Sequence, residues 1–525
     1  MHRTRFLSGA IAVAATSLLA SACTTSGSDS SGSTGAGGAA SGGTVKVGVT
    51  SDVTSFDPAR GTAASDYMVT GLLYQPLIGQ DDGGKFVPGL AAKWEQTPTS
   101  TTFTLKDGLT CSDGKDLTPA QVAASLERYR ATSASATLTF GAANTGKKTT
   151  ITGDDKAGTV TIKTATPWGE VLNGLSGTAA GIVCEPGIKA GDKKLATGAV
   201  KGAATGAYEM VKAARGSSYE LKLRKGYDAF AQYGSLSTTG RPADVLKLQV
   251  VKNESTIANQ LSTGALDFAS FTGPDAARFA KNDKYALTQA PFIRNFIAFN
   301  QRSGHPGADA KVRKAVAQAV DAKAFNKVFG GAGQEMTSYV DAKSACVSTD
   351  ASLLTKTDKA AAAKTLKGVK IKLEGSNAVA QGAGNTYVQE ALRAAGADVK
   401  LSNADNATWG TDILGNQGDW DVTVFPLISG SLARGGTYFV GDSPAKGLNF
   451  GGADNKKFLA SYVAATTATD QNTKCSAWQK AQEAILKAND VVPLATVNLN
   501  YVARKGIAVT APAGALSLSS LRVTG

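Results

Sequence analysis

Few residues of this chain could do covalent chemistry, and they lie far apart. Only two histidines occur in 525 residues, and one of them, His2, stands at the extreme N-terminus. The other, His305, sits in the loop-like stretch Ser-Gly-His-Pro-Gly and receives no role. One imidazole removes His-ligated metal sites, His-containing triads and most acid–base schemes built on that ring. Ser112 with Lys115, and Ser443 with Lys446, have the SxxK spacing that lets a lysine activate a serine. That chemistry needs KTG and SDN companions, and neither tripeptide occurs; GxSxG is absent as well. The five cysteines form no CxxC, so zinc and redox motifs are missing. The residue types therefore predict no catalytic set, no metal and no cofactor. Two other kinds of chemistry remain: modification at Cys23, and disulfides among Cys111, Cys184, Cys346 and Cys475.

Cys23 follows Arg3 and Arg5, an apolar run over residues 6–19, and the small residues Ala20, Ser21 and Ala22. This order predicts a secretory signal peptide over 1–22. The run is shorter than the roughly 20 residues that span a bilayer. A cysteine at the cleavage position resembles the lipobox of bacterial lipoproteins. The resemblance implies that the thiol is acylated and becomes the mature N-terminus. Residues 24–43 contain only Thr, Ser, Gly, Ala and one Asp. Such a stretch cannot bury enough apolar surface to fold, and as a coil it spans about 25 Å. Residues 23–43 thus read as a lipidated Cys and a disordered tether. They hold a body that begins near residue 44 on the outer face of the cell membrane.

Removing the two leader arginines lowers the net charge from +13 to about +11. The basic residues are dispersed, the longest runs being pairs such as Lys147-Lys148 and Lys456-Lys457. There is no basic helix and no arginine-rich arm, so nucleic acid is not a predicted partner. A diffuse positive charge suits an anionic envelope or an anionic ligand. Four cysteines in an exported chain predict two disulfides, and three pairings are open.

The elements that must position these residues alternate between strand and helix. Val45, Val47 and Val49 alternate with Lys46 and Gly48 as a first strand. Thr118, Pro119 and Gln121 have the order of a capping box, with Val122, Leu126 and Tyr129 on one buried face. Two abutting helices run from Asp309 to Gly331, the second opening at Asp321 and burying Phe325, Val328 and Phe329. Further strands are predicted at 159–163, 219–223, 246–251, 369–373, 399–401 and 420–425. A helix over 470–487 turns Trp478, Ala481 and Ile485 inward. The alternation predicts α/β architecture with mixed sheets.

Several segments in order resemble the family 5 extracytoplasmic solute-binding proteins of ABC importers, which include oligopeptide-, dipeptide- and nickel-complex-binding members. Phe56-Asp57-Pro58-Ala59 and Tyr74-Gln75-Pro76-Leu77 come first. Pro88-Gly89-Leu90-Ala91-Ala92-Lys93-Trp94-Glu95 is similar to PGLAxxWE. Phe103 to Gly108, Asp113-Gly114 and Leu117 to Val122 follow, then Ala204 to Tyr208, Leu223 to Tyr227 and Ser262 to Asp267. Phe299-Asn300 and Val312-Arg313-Lys314-Ala315-Val316 with Ala319-Val320-Asp321 close the series. The resemblance implies a two-lobed periplasmic-binding-protein-like fold, type II-like, with an extra subdomain in the first lobe and two crossover strands. Lobe I would comprise 44–288 plus 490–525, with the inserted subdomain at about 75–200. Lobe II would be 289–489, with crossings near 292–299 and 491–497. Cysteine pairs Cys111–Cys184 and Cys346–Cys475 would then each stay within one lobe.

The same resemblance implies a monomer that captures a small or peptide-like solute by hinge closure and delivers it to a membrane permease. Peptide-binding relatives hold the free amine with an Asp after the strand that here reads 419–425. The matching stretch, 426–436, contains no Asp or Glu. A buried ammonium without a carboxylate costs several kcal/mol, so an amine-anchored peptide is disfavoured. Arg434 instead offers a bidentate partner for a carboxylate or phosphate. The candidate ligand-binding residues are Thr54, Phe56, Trp409, Ser429, Ser431 and Arg434. A solute-sensing lipoprotein not coupled to import would show the same lobes. A cell-envelope hydrolase rests on the two SxxK serines alone.

Overall fold

The computed structural model describes residues 42–524 except 62, 82–83, 134, 142–143, 146–148, 199, 231–239, 445 and 511–516. The signal peptide, Cys23 and all but the last two residues of the expected tether lie outside the described residues.

Ten strands make one mixed sheet. From one edge they are Asp398–Ala404, Lys370–Ser376, Val422–Leu427, Tyr285–Phe299, Val491–Arg504, Phe268–Phe271, Thr44–Val49, Val245–Val250, Ser218–Leu223 and Tyr208–Ala214. Tyr285–Phe299 and Val491–Arg504 are the two longest and lie side by side at its centre. They pair antiparallel from Tyr285 opposite Arg504 to Ala298 opposite Val491. The register slips between Pro291 and Ile293 and again between Arg294 and Phe296. A proline has no N–H to give a ladder, so such an irregularity is where one is tolerated. Both strands extend beyond the crossings read from sequence, because Thr288 and Gln289 on one and Asn498 and Asn500 on the other interrupt their apolar runs.

Parallel pairs need crossover connections, and helices supply them. Lys370–Ser376 and Asp398–Ala404 are parallel neighbours, joined through the helix Ala383–Ala394, which buries Val388 and Leu392 against them. A separate four-stranded antiparallel sheet orders Ala91–Thr97, Ser100–Leu105, Thr159–Lys163 and Thr150–Asp154. The helix Pro119–Thr132 packs there, with Val122 and Leu126 fully buried beside Phe103, Val160 and Ile162. The apolar clusters divide along the chain. Three draw on residues 45–290 and 499–521, and two draw on 296–495. Phe296 and Ile297, adjacent on one central strand, belong to the two clusters on opposite faces of the sheet.

Helix starts follow the capping residues. The side chains of Thr118, Asp309, Asp321 and Asp470 accept from the backbone N–H of Gln121, Lys311, Ala324 and Thr473. Each cap is worth about 1 kcal/mol. Val328 departs from expectation: it is 38 % exposed, while Phe325 is fully buried. Trp94 lies on a strand and is half-buried. Disulfides join Cys111 to Cys184 and Cys346 to Cys475. His305, without a role in the sequence, lies 2.8 Å from Asp421 Oδ1 and 3.2 Å from the Asn300 amide. Asp57 of the Phe-Asp-Pro-Ala segment is fully buried and paired with Arg128, which also holds Asp192. That segment is scaffold.

Candidate ligand-binding cavity

A cavity of about 120 Å³ opens between two walls distant in sequence. The first wall comes from residues 129–179. Tyr129, on the buried face of the helix Pro119–Thr132, lies 2.8 Å from Thr139 Oγ1 through its hydroxyl. Trp168 donates its indole N–H to Thr139 O at 3.1 Å. Gly141, at φ +83°, lets the indole lie against the chain; a Cβ there would meet the ring at 2.8 Å. Leu138, Glu170 and Asn173 complete this side.

The second wall follows the strand Val422–Leu427. Ser429, Ser431, Ala433, Arg434 and Thr437 line it, with Tyr462 from the helix Lys456–Thr467. Ser431 caps the short helix Leu432–Gly436 by accepting from Arg434 N at 3.2 Å, and Tyr462 donates to Ala433 O at 3.2 Å. A buried ion pair underlies the turn. Arg294 donates from Nε to Asp341 Oδ2 at 2.6 Å, and from Nη1 to Phe292 O and Ile428 O. Nothing in the sequence around Arg294 separates it from the apolar strand it interrupts.

Four contacts tie the walls together. Asn173 Nδ2 donates to Ser431 Oγ at 3.1 Å. Lys474 Nζ reaches Glu170 Oε1 at 3.1 Å and Gly169 O at 3.0 Å. Gly169 N donates to Thr466 O at 2.6 Å. The last approach requires a glycine, since a Cβ would stand 2.3 Å from Ala468 O. Glu170 is thus satisfied twice, by Lys474 and by Asn173 Nδ2 at 3.0 Å. Arg434 is different: its guanidinium makes no hydrogen bond or ion pair with a described residue. It is exposed at the rim, and its charge draws down the phenols of Tyr67, Tyr129 and Tyr438, which burial pushes up.

The six candidate ligand residues are not brought to one place. Ser429, Ser431 and Arg434 line the cavity. Phe56 is fully buried, edge-on to Tyr219 and beneath Arg215. Trp409 is 5 % exposed, edge-on to Phe425, and donates to Thr423 Oγ1 at 3.2 Å. Thr54 binds the Asp66 carboxylate through N and Oγ1, both at 2.6 Å. Tyr129, Trp168, Glu170 and Asn173 went unrecognised in the sequence, because nothing local relates them to residues 429–434. The SxxK serines are engaged elsewhere. Ser112 Oγ accepts from Ala204 N, and Ser443 Oγ accepts from Arg302.

A larger depression of about 380 Å³ lies beside the hairpin of Thr150–Asp154 and Thr159–Lys163. It is shallow, and its carboxylates already cap backbone: Asp154 accepts from Lys156 and Ala157, and Asp155 from Ala120. The smaller cavity has the aromatic lining and converging polar groups of a ligand site.

The chain resembles proteins of known kind. A substrate binding protein from Microbacterium hydrocarbonoxydans, crystallised with 4-hydroxybenzoate hydrazide, is 37 % identical. The alignment covers 92 % of this chain and 100 % of that one, with a TM-score of 0.79. The Escherichia coli murein tripeptide binding protein MppA shares the fold at 18 % identity, 91 % and 98 % coverage and a TM-score of 0.73. The glutathione-binding protein GsiB of Salmonella typhi is 28 % identical over 302 residues, 56 % of each chain. The chain therefore spans about half the length of the curated relatives it matches. The family described as bacterial extracellular solute-binding proteins, family 5, matches residues 85–439. With two thirds of its length inside that match and a two-lobed relative aligned along nearly all of it, the chain belongs to family 5 of the bacterial extracellular solute-binding proteins.

Proposed function

We propose that this protein is the solute-capturing lipoprotein of an ABC importer. Lobe I, 44–288 plus 490–525 with an inserted subdomain at about 75–200, closes on lobe II, 289–489. The two long central strands act as the hinge. A small organic or peptide-like solute is held between the lobes by Ser429, Ser431 and Arg434. Trp409 packs on Phe425 behind the second wall, Phe56 is core of the first lobe against Tyr219, and Thr54 fixes the first loop through Asp66. A solute touching both walls adds its contacts only in the closed state, so it shifts the population toward closure. The closed form then docks on a membrane permease. The M. hydrocarbonoxydans relative carries a small organic compound, which supports a solute of that size.

The observation that carries this reading is the pair of wall-to-wall contacts, Asn173–Ser431 and Lys474–Glu170, flanking a lined cavity. Native mass spectrometry of gently purified protein tests it by finding a bound solute. Small-angle scattering before and after removal of that solute should show expansion; an unchanged radius of gyration rejects hinge closure. Cys23 acylation anchors the monomer to the outer face of the membrane. Cys23→Ala should release the protein from the membrane fraction and abolish palmitate labelling; retention refutes the anchor.

A further inference from the structure

The capture function proposed above leaves the chemical class of the solute open, and the cavity's size and charges narrow it. A cavity of about 120 Å³ is comparable with the roughly 150 Å³ space that holds one benzene ring. It has no room for a chain of residues between walls already joined by direct hydrogen bonds. Tyr129, Leu138, Trp168 and Tyr462 give it rings and an aliphatic side chain, surfaces that accept a flat apolar body.

The charges inside are unequal in their commitments. Glu170, the acid of the cavity, is 6 % exposed and is neutralised by Lys474. A cationic ligand would have to break that pair and leave Lys474 partly buried with only the Gly169 carbonyl, a costly exchange. Arg434 has no such partner, stands at the rim, and presents a planar fork that matches a carboxylate. We infer that the cavity takes a single-ring aromatic carboxylate, its ring between Trp168 and Tyr462 and its carboxylate on Arg434. This rests on the capture reading and adds to it the sign and shape of the solute.

The test is isothermal titration calorimetry of the full chain with four probes: benzoate, benzamide, benzylamine and trialanine. Benzoate should bind saturably, and benzamide, its neutral counterpart, at least tenfold more weakly. Benzylamine and trialanine should give no saturable heat. Arg434→Gln should weaken benzoate at least tenfold. Arg434→Lys, which keeps the charge and loses the fork, should fall between that variant and the parent. Circular dichroism shows whether each variant is folded. Benzamide binding as tightly as benzoate, an unchanged benzoate affinity in R434Q, or no heat from benzoate at all overturns the inference. If benzoate fails while a peptide or amine is found bound by native mass spectrometry, solute capture stands and the aromatic acid falls. If the protein neither carries a solute nor changes its radius of gyration, both readings fall together.

Discussion

Two buried ion pairs flank the cavity, and they do different work. Arg294–Asp341 lies inside one wall, with side chains 3 % and 2 % exposed. Lys474–Glu170 joins one wall to the other, with side chains 17 % and 8 % exposed. The first pair sits on a central strand and a loop of the same apolar neighbourhood, and it holds Ile428 at the turn that carries Ser429 and Ser431. Both of its partners belong to one wall, so the closure proposed above would leave it intact. The second can exist only when the walls meet. If the proposed closure operates, similar chemistry belongs to different equilibria: Arg294–Asp341 to folding, Lys474–Glu170 to closure.

The largest break in this comparison is Asp341→Ala. It leaves a buried guanidinium with two carbonyls and no counter-charge, which costs about 3–5 kcal/mol. Thermal or denaturant unfolding should show that loss. The double variant Arg294→Met, Asp341→Leu should recover much of it, because an apolar pair of similar volume escapes the desolvation penalty. A D341A protein as stable as the parent would place this pair with the surface ones.

Glu374 sharpens the comparison, since it is a buried carboxyl with no ion pair among the described residues. It is 7 % exposed, its Oε1 has no hydrogen-bond partner, and burial with nearby Asp412 pushes its pKa up to about 7. The unfolded chain releases this proton near 4.5, so the folded form binds more protons between those values. Stability from this group is present at pH 4.5 and is lost as pH rises through about 7. Glu374→Gln should flatten that slope and stabilise the protein at pH 8 by on the order of 2 kcal/mol. Equal pH profiles for parent and variant would show that Glu374 ionises freely in the fold.

Lys474→Ala tests the other side of the contrast. It removes a charged hydrogen bond across the walls, worth about 1–2 kcal/mol to the closed state. The ratio of open to closed should rise roughly 5- to 30-fold. Scattering of the solute-free protein should therefore register a larger radius, while the melting temperature moves far less than in D341A. A fall in melting temperature with no change in radius would make Lys474–Glu170 another folding pair.

Much of the scaffold was legible because its signals are local. Thr118, Asp309, Asp321 and Asp470 mark helix starts through side chains that reach only two or three residues ahead. The central strands were legible only where they are apolar. Residues 285–291 and 498–504 carry Thr288, Gln289, Asn498 and Asn500, and their pairing depends on neighbours more than 200 residues away. The cavity was half legible for the same reason. Residues 429–434 follow a strong strand signal, whereas Glu170 meets Lys474 across 304 positions. Phe56 and Trp409 look like ligand-stacking aromatics in sequence, and the same apolar area places them in the cores.

The smallest effect separates a neutral bridge from a charged one. Asn173 donates to Ser431 Oγ and Glu170 Oε2, and accepts from Gln80 at 3.0 Å. A neutral hydrogen bond is worth about 1 kcal/mol, and at an open cavity mouth water replaces part of it. Asn173→Ala should therefore shift closure by roughly fivefold or less. Ser431→Ala removes the same bridge and also the cap on Arg434 N, which adds about 1 kcal/mol of local stability. The two variants should match in the open fraction seen by scattering and differ in melting temperature, with S431A the lower. If they match in melting temperature and differ in open fraction, Ser431 acts on closure through something other than Asn173, and the bridge is incidental.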